Sequence, residues 1–186
     1  MGMTVDLACE LARVLVGGMG RRWEHVEAVG RRAQALGDCC ELPEHVIADA
    51  WLHDVGYAPP LVVTRLHALD GARYLRAQGA DEEVVRLVGW HTGAAFEAEE
   101  RGLADEWSTI HAPLDVDLDA LTMIDLSTGP DGSPIIDTAR LAEVLRRYAD
   151  DDPVHRAVER STPSLLAASR RAKARLGLPQ DWPICA

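Results

Sequence analysis

Ala50-Trp51-Leu52-His53-Asp54-Val55-Gly56-Tyr57 is the stretch on which the rest of the chain turns. It reads as the end of a helix that delivers an adjacent histidine and aspartate into the interior. A carboxylate between apolar neighbours is a poor core residue, because burial without a partner is costly or forces protonation. A divalent metal removes that penalty, since imidazole and carboxylate together ligate zinc, iron or manganese. Adjacent His and Asp also occur by chance, so the doublet counts only if other segments supply ligands in similar settings.

Working outward, a helix from Pro43 to about Asp54 places Val46, Ala50 and His53 at i, i+4, i+7. Ile47, Ala50, Trp51 and Asp54 follow i, i+3, i+4, i+7, so both polar residues close apolar stripes. Upstream, an amphipathic helix over 4–16 stops at Gly17-Gly18, and a second runs from Arg21 to Leu36 and ends at Gly37. His25 lies at the edge of its stripe and alone reads as a half-exposed boundary residue. Downstream, a helix over 63–78 carries His67, with Gly71 implying close packing. The next helix, after Gly79, ends its stripe Val84, Leu87, Val88 on His91, whose bland reading is a core histidine bonded to a backbone carbonyl. Residues 92–116 lose the pattern and suggest a partly helical excursion, a lid over a site. A helix over 117–127 closes the stripe Leu118, Leu121, Thr122 on Asp125. Helices over 137–149 and 153–176, the latter interrupted at Pro163, read as packing elements.

The expected fold is therefore all-α: a compact helical bundle with a central site. One domain spans 1–186, with a metal-binding core at about 20–130 and packing helices at about 137–176. Composition agrees, with 47% hydrophobic, 26% charged and only 5% aromatic residues. The formal net charge of −11 and the lack of a dense basic run, apart from Arg170-Arg171 to Arg175, argue against a nucleic-acid polymer as partner. No span long enough for a membrane and no signal peptide is visible. Cys9, Cys39, Cys40 and Cys185 lack metal-site spacing and read as reduced thiols, so a cytoplasmic protein is expected.

Each histidine has a bland account, but the joint pattern does not. His25, His53, Asp54, His67, His91 and Asp125 all lie on or beside apolar helical faces, whereas His45, His111 and His155 lie in polar or loop contexts. Six N/O donors on helices suit one or two divalent transition metals.

The order His25, His53-Asp54, His67, His91, Asp125, with Leu-His-Asp-Val-Gly-Tyr and Met-Ile-Asp-Leu around the doublet and the last Asp, resembles the HD-domain superfamily of metal-dependent phosphohydrolases. The likeness covers about residues 20 to 130. His67 and His91 match its two-metal branch, and His91-Thr92 resembles the His-Thr of HD hydrolases that cleave diadenosine tetraphosphate. The resemblance implies that His25, His53, Asp54 and Asp125 hold one metal. His67 and His91 would hold a second, with Asp54 bridging both and orienting the attacking water. Iron or manganese is implied first, with zinc, nickel or cobalt as further candidates. Arg21 and Arg22, one turn before His25, are candidate phosphate contacts. Tyr57 departs from the Lys that many relatives place after the doublet. Adjacent histidines before the last Asp, as in cyclic-di-GMP phosphodiesterases, are also absent. The implied function is hydrolysis of a small phosphorylated molecule, a nucleotide or phosphoester. The same ligand set also fits HD-type mixed-valent diiron oxygenases and, less well, a non-catalytic metal-containing binding module.

Overall fold

The computed structural model of the chain describes residues 2–184, so Cys185 lies outside the described residues. Ten α-helices and three short 3-10 turns form a bundle, with no strand among the described residues. The expected all-α architecture is the one found. Among the described residues no helix is long and apolar enough to cross a membrane.

Helix α1 (Val5–Val16) starts where Thr4 accepts from the Leu7 N–H, and it buries Ala8, Ala12 and Val16. Helix α2 (Arg21–Cys40) runs past Gly37, where the sequence predicts a stop. A Cβ at Gly37 would meet the Ile47 side chain at 2.5 Å. Glycine there serves the close approach of α3 (Glu44–Leu52) instead of ending the helix. The chain turns at Glu41, whose φ is 54°. Helix α3 is central. Its Ala48, Trp51 and Leu52 belong to one apolar cluster, with Val55, Leu69 and Val88, and its Val46 and Ala50 to another, with Val29, Leu121 and Ile124. A doublet at its end is thereby driven inside.

Helix α4 (His67–Ala77) begins at His67 and not at Val63. Asp70 explains the difference. Its carboxylate accepts from the Val63 N–H at 3.0 Å, the Thr64 N–H and the Thr64 hydroxyl at 2.9 Å. Hydrogen bonds to a charged group contribute about 1.5–3 kcal/mol each, enough to hold 63–66 as a loop. His67 thus opens the helix. In this first turn the backbone passes very close to Gly56: a Cβ there would lie 1.9 Å from the His67 carbonyl oxygen and 2.7 Å from the Gly71 N. Gly56 and Gly71 let the segment after the doublet press against the first turn of α4, as Gly71 predicted.

Helix α5 (Glu82–Trp90) is followed by α6 (Ala94–Glu100), the single turn α7 (Ala104–Trp107) and α8 (Asp115–Leu126). The excursion is pinned back on α5. The Trp107 indole N–H donates to the Gly89 carbonyl at 2.7 Å, that of Trp90 donates to the Ile110 carbonyl at 2.9 Å, and the two rings are 4.3 Å apart. Helix α9 (Asp137–Arg147) leads to α10 (Pro153–Arg175), which packs on α6 and α8. It continues through Pro163 without the predicted interruption. The missing N–H removes one rung, and the Thr162 hydroxyl bonds the Val158 carbonyl at 2.7 Å beside the gap.

Candidate metal centre

The six predicted residues converge. The last hydrogen bond of α3, from the His53 N–H to the Asp49 carbonyl, leaves Asp54 outside helical geometry at φ −103°, ψ 7°. That single step turns the His53 ring and the Asp54 carboxylate toward one point. His25 arrives from α2, His67 from the start of α4, His91 from the end of α5 and Asp125 from α8. His25 is not half exposed: like His53, Asp54 and His91 it is buried.

The ring orientations are set by the backbone. His25 Nδ1 lies 3.1 Å from the Gly129 carbonyl, His53 Nδ1 3.0 Å from Ala50 and His91 Nδ1 2.6 Å from Val88. A carbonyl only accepts, so each Nδ1 carries the proton and each Nε2 presents a lone pair. The bland reading of His91 is correct for one of its nitrogens, and that bond is what aims the other. The Nε2 atoms then meet in pairs, His53 with His25 at 3.4 Å and His67 with His91 at 3.0 Å. Facing lone pairs repel unless a cation or proton lies between them, and about 3 Å is the separation of two nitrogens at right angles on one ion with bonds of about 2.1 Å. These donors fit a metal.

Asp54 sits between the pairs. Its Oδ2 is 3.4 Å from His53 Nε2 and 3.9 Å from His25 Nε2, and its Oδ1 is 3.4 Å from His67 Nε2 and 3.8 Å from His91 Nε2. One oxygen therefore serves each pair, giving two donor triads, His25–His53–Asp54 and Asp54–His67–His91. Asp125 joins the first pair, its Oδ1 3.1 Å from His25 Nε2, while the Thr92 hydroxyl donates to its Oδ2. Thr92 adopts a φ of 38°, a strained value for a β-branched residue. The bond to Asp125 explains what that strain secures.

Protonation follows from the same neighbours. Burial alone would raise Asp54, but Arg22, His53 and His67 outweigh it and hold the carboxyl well below its usual range. Burial would likewise raise Asp125, and His25 with His53 overcomes it. Burial and the proximity of His91 push His67 well down, and burial with His53 lowers His91. At His53 burial works downward, yet the Asp54 and Asp125 carboxylates prevail and raise it. Two ionised carboxylates beside His67 and His91 held neutral is the state that ligates, and His53 would give up its extra proton as an ion binds.

Arg22 reaches Asp54 by a short ion pair, and its guanidinium lies 3.9 Å above the Tyr57 ring, which stacks on His67 at 4.1 Å. Tyr57 thus joins a cation to the centre. Arg21 is exposed at the rim. Of residues 92–116, only Thr92 and Glu97 line the central cavity. The expected lid is elsewhere: α9 and the start of α10, expected to be mere packing elements, close the mouth with Arg140, Val144, Arg147, Tyr148, Val154 and Val158. These were missed because an Arg140–Glu143–Arg147 face at i, i+3, i+7 looks like an ordinary solvated stripe. His45 pairs with Asp117 at 2.9 Å, His155 bonds the Tyr148 carbonyl, and His111 is exposed, so none of the three belongs to the centre. Cys9, Cys39 and Cys40 are free thiols.

Known proteins supply a context for this geometry. A family model described as HD domain matches residues 22–145. Two tRNA (cytidine(56)-2'-O)-methyltransferases, from Picrophilus torridus and Thermoplasma volcanium, are each 36% identical over 77 residues, or 41% of this chain. The chain covers only 22% of the length of these curated relatives. No solved structure matches it.

Proposed function

Because this chain belongs to the HD-domain superfamily of metal-dependent phosphohydrolases, we propose that it hydrolyses a small phosphorylated molecule, a nucleotide or phosphoester, at a centre held by His25, His53, Asp54, His67, His91 and Asp125. The family and the His/Asp groups support a metal-dependent hydrolase in general; the substrate class and the ligand roles are our reading. The observation that carries it is a juxtaposition. In a chain of net charge −11, Arg22, Arg140 and Arg147 line the same cavity as five of the six donors, all but His53. A centre of neutral imidazoles and carboxylates suits a cation, and guanidinium groups around it suit phosphoryl oxygens.

His25, His53 and Asp125 would hold one ion and His67 and His91 a second, with one Asp54 oxygen toward each. Such ions supply positive charge to phosphoryl oxygens and acidify water. The protein's own residues do the rest. Asp54 orients the water, Thr92 fixes Asp125, and Tyr57 holds the His67 ring against rotation. Arg22 contacts a phosphoryl oxygen. No side chain is placed to attack: Thr92 is the only hydroxyl of a Ser or Thr lining the cavity, and it is committed to Asp125. The relatives' methyltransferase activity is not carried over, since the likeness covers under a quarter of their length.

The test is phosphate release from a panel of nucleotides and phosphoesters with Mn²⁺ or Fe²⁺ added. Metal-dependent release supports the reading. No release from any member, together with a mixed-valent diiron signal that changes with O2, would replace it with the oxygenase reading.

A further inference from the structure

Beside the centre lies a second cavity of about 210 Å³, walled by Arg21, Arg22, His25, Arg140, Glu143 and Arg147. It shares Arg22, His25, Arg140 and Arg147 with the central cavity, so the two spaces are neighbours. The sides differ in chemistry. The central cavity also has Tyr148, Val144, Val154 and Val158 in its wall, whereas the second has no aromatic side chain and one proline, Pro130.

The charges in the second cavity do not cancel. Arg22 is matched by Asp54. Arg140 and Arg147 share one carboxylate, Glu143, at 2.5 Å and 2.6 Å. Arg21 lies in the field of Asp131 but makes no ion pair among the described residues. Two guanidinium charges are thus left over in a chain that is strongly acidic overall. Arg140 is the most telling of them. It is 8% exposed, and it lines the central cavity together with Asp125. Burying a guanidinium whose ion-paired carboxylate is shared with a second guanidinium is costly, and an anionic ligand removes the cost. Its place links the second cavity to the metal centre.

We propose that this cavity is an anion subsite that takes a second phosphate of the substrate, so that the substrate is a phosphoanhydride and not a simple phosphomonoester. The inference rests on the hydrolase reading for its substrate class, and on the arginine cavity alone for the subsite. In the reaction, a water oxygen bonds to the phosphorus at the centre, and the bond from that phosphorus to the bridging oxygen breaks. The bridging oxygen leaves with the electron pair as a terminal oxygen of the phosphate held by Arg21, Arg140 and Arg147. The water protons pass to the products and solvent. Guanidinium groups at the leaving phosphate neutralise the charge that builds there, so no acid need protonate it.

The chain, with metal removed by chelation, is titrated with inorganic phosphate and with inorganic tripolyphosphate near physiological salt, where long-range attraction is screened. Tripolyphosphate should bind at least about tenfold more tightly than phosphate. The advantage should shrink to about threefold or less in the Arg21→Ala, Arg147→Ala double variant. Arg31→Ala, on the exposed face of α2, removes a charge far from the cavity and should keep the advantage. No advantage in the unmodified chain, or an equal loss in Arg31→Ala, overturns the subsite. Phosphate release from nucleoside mono- and triphosphates then separates the two readings. Preference for the triphosphate, lost in the double variant, supports both. Hydrolysis without preference overturns the subsite and leaves the hydrolase reading standing. Tight tripolyphosphate binding without hydrolysis of any phosphate compound overturns the hydrolase reading and the phosphoanhydride assignment with it.

Discussion

Asp49 and Asp54 lie at opposite ends of the same stretch, one inside α3 and one just past its end, and both carboxyls are buried. Their surroundings differ completely. Asp54 has Arg22 and four imidazole Nε2 atoms within 4 Å, and it is held ionised far below its usual range. Among the described residues Asp49 has no hydrogen-bond partner on either oxygen, and burial, with Asp117 nearby, pushes it well up. A third buried carboxylate, Asp137, meets the buried Lys173 ammonium at 2.6 Å. Burial alone therefore says nothing about function. Partners decide whether a buried carboxyl is a neutral packing group, half of a structural ion pair or a charged ligand.

The largest test of this contrast is Asp54→Ala. It should lower metal-dependent phosphate release by about three orders of magnitude or more. Asp49→Ala should leave release near its original level. Equal losses would erase the distinction.

Next in size is the structural pair. Asp137→Ala leaves the Lys173 ammonium with the Gln180 carbonyl alone, at 3.0 Å. It should destabilise by about 3–5 kcal/mol in denaturant unfolding. Replacing both partners together should recover most of that. If the double replacement is as unstable as the single one, the pair is not what holds α9 to α10.

Gly56→Ala tests how the doublet is aimed. The new methyl would strike the His67 carbonyl, so about 1–3 kcal/mol of stability should be lost. Metal affinity should fall as well, because His67 must move. A stability loss with metal affinity unchanged would separate the packing of Gly56 from the centre.

The smallest effect belongs to Asp49. Its carboxyl titrates higher in the folded chain than the value near 4 of a free side chain. The folded state therefore binds the extra proton, and stability falls as pH rises from about 4 toward the raised value. Asp49→Asn removes that slope, so its stability relative to the original chain should improve between pH 5 and pH 8. An unchanged difference across that range would mean that Asp49 is ionised and has a partner.

The sequence made the doublet legible because His53 and Asp54 end apolar stripes, and the same logic found His91 and Asp125. Their convergence followed from the family order, not from periodicity. The stripes could not show which nitrogen of each ring faces inward, since that depends on carbonyls such as Gly129, far away in the chain. The start of α4 was misplaced because Val63 and Thr64 suit a helix locally. The deciding contacts come from Asp70, several residues on. Arg140 and Arg147 escaped for a different reason. An exposed ion-paired face and a basic wall over a cavity have the same spacing, and only the placing of α9 across a cavity from α2 tells them apart.

Metal content bears most directly on the central claim. The purified chain and its Asp54→Ala variant would each be stripped, titrated with Mn²⁺ or Fe²⁺ under exclusion of oxygen, and assayed by elemental analysis. One Asp54 oxygen toward each histidine pair predicts about two equivalents in the original chain and little or none in the variant. No uptake by the original chain, or equal uptake by both, would contradict the account.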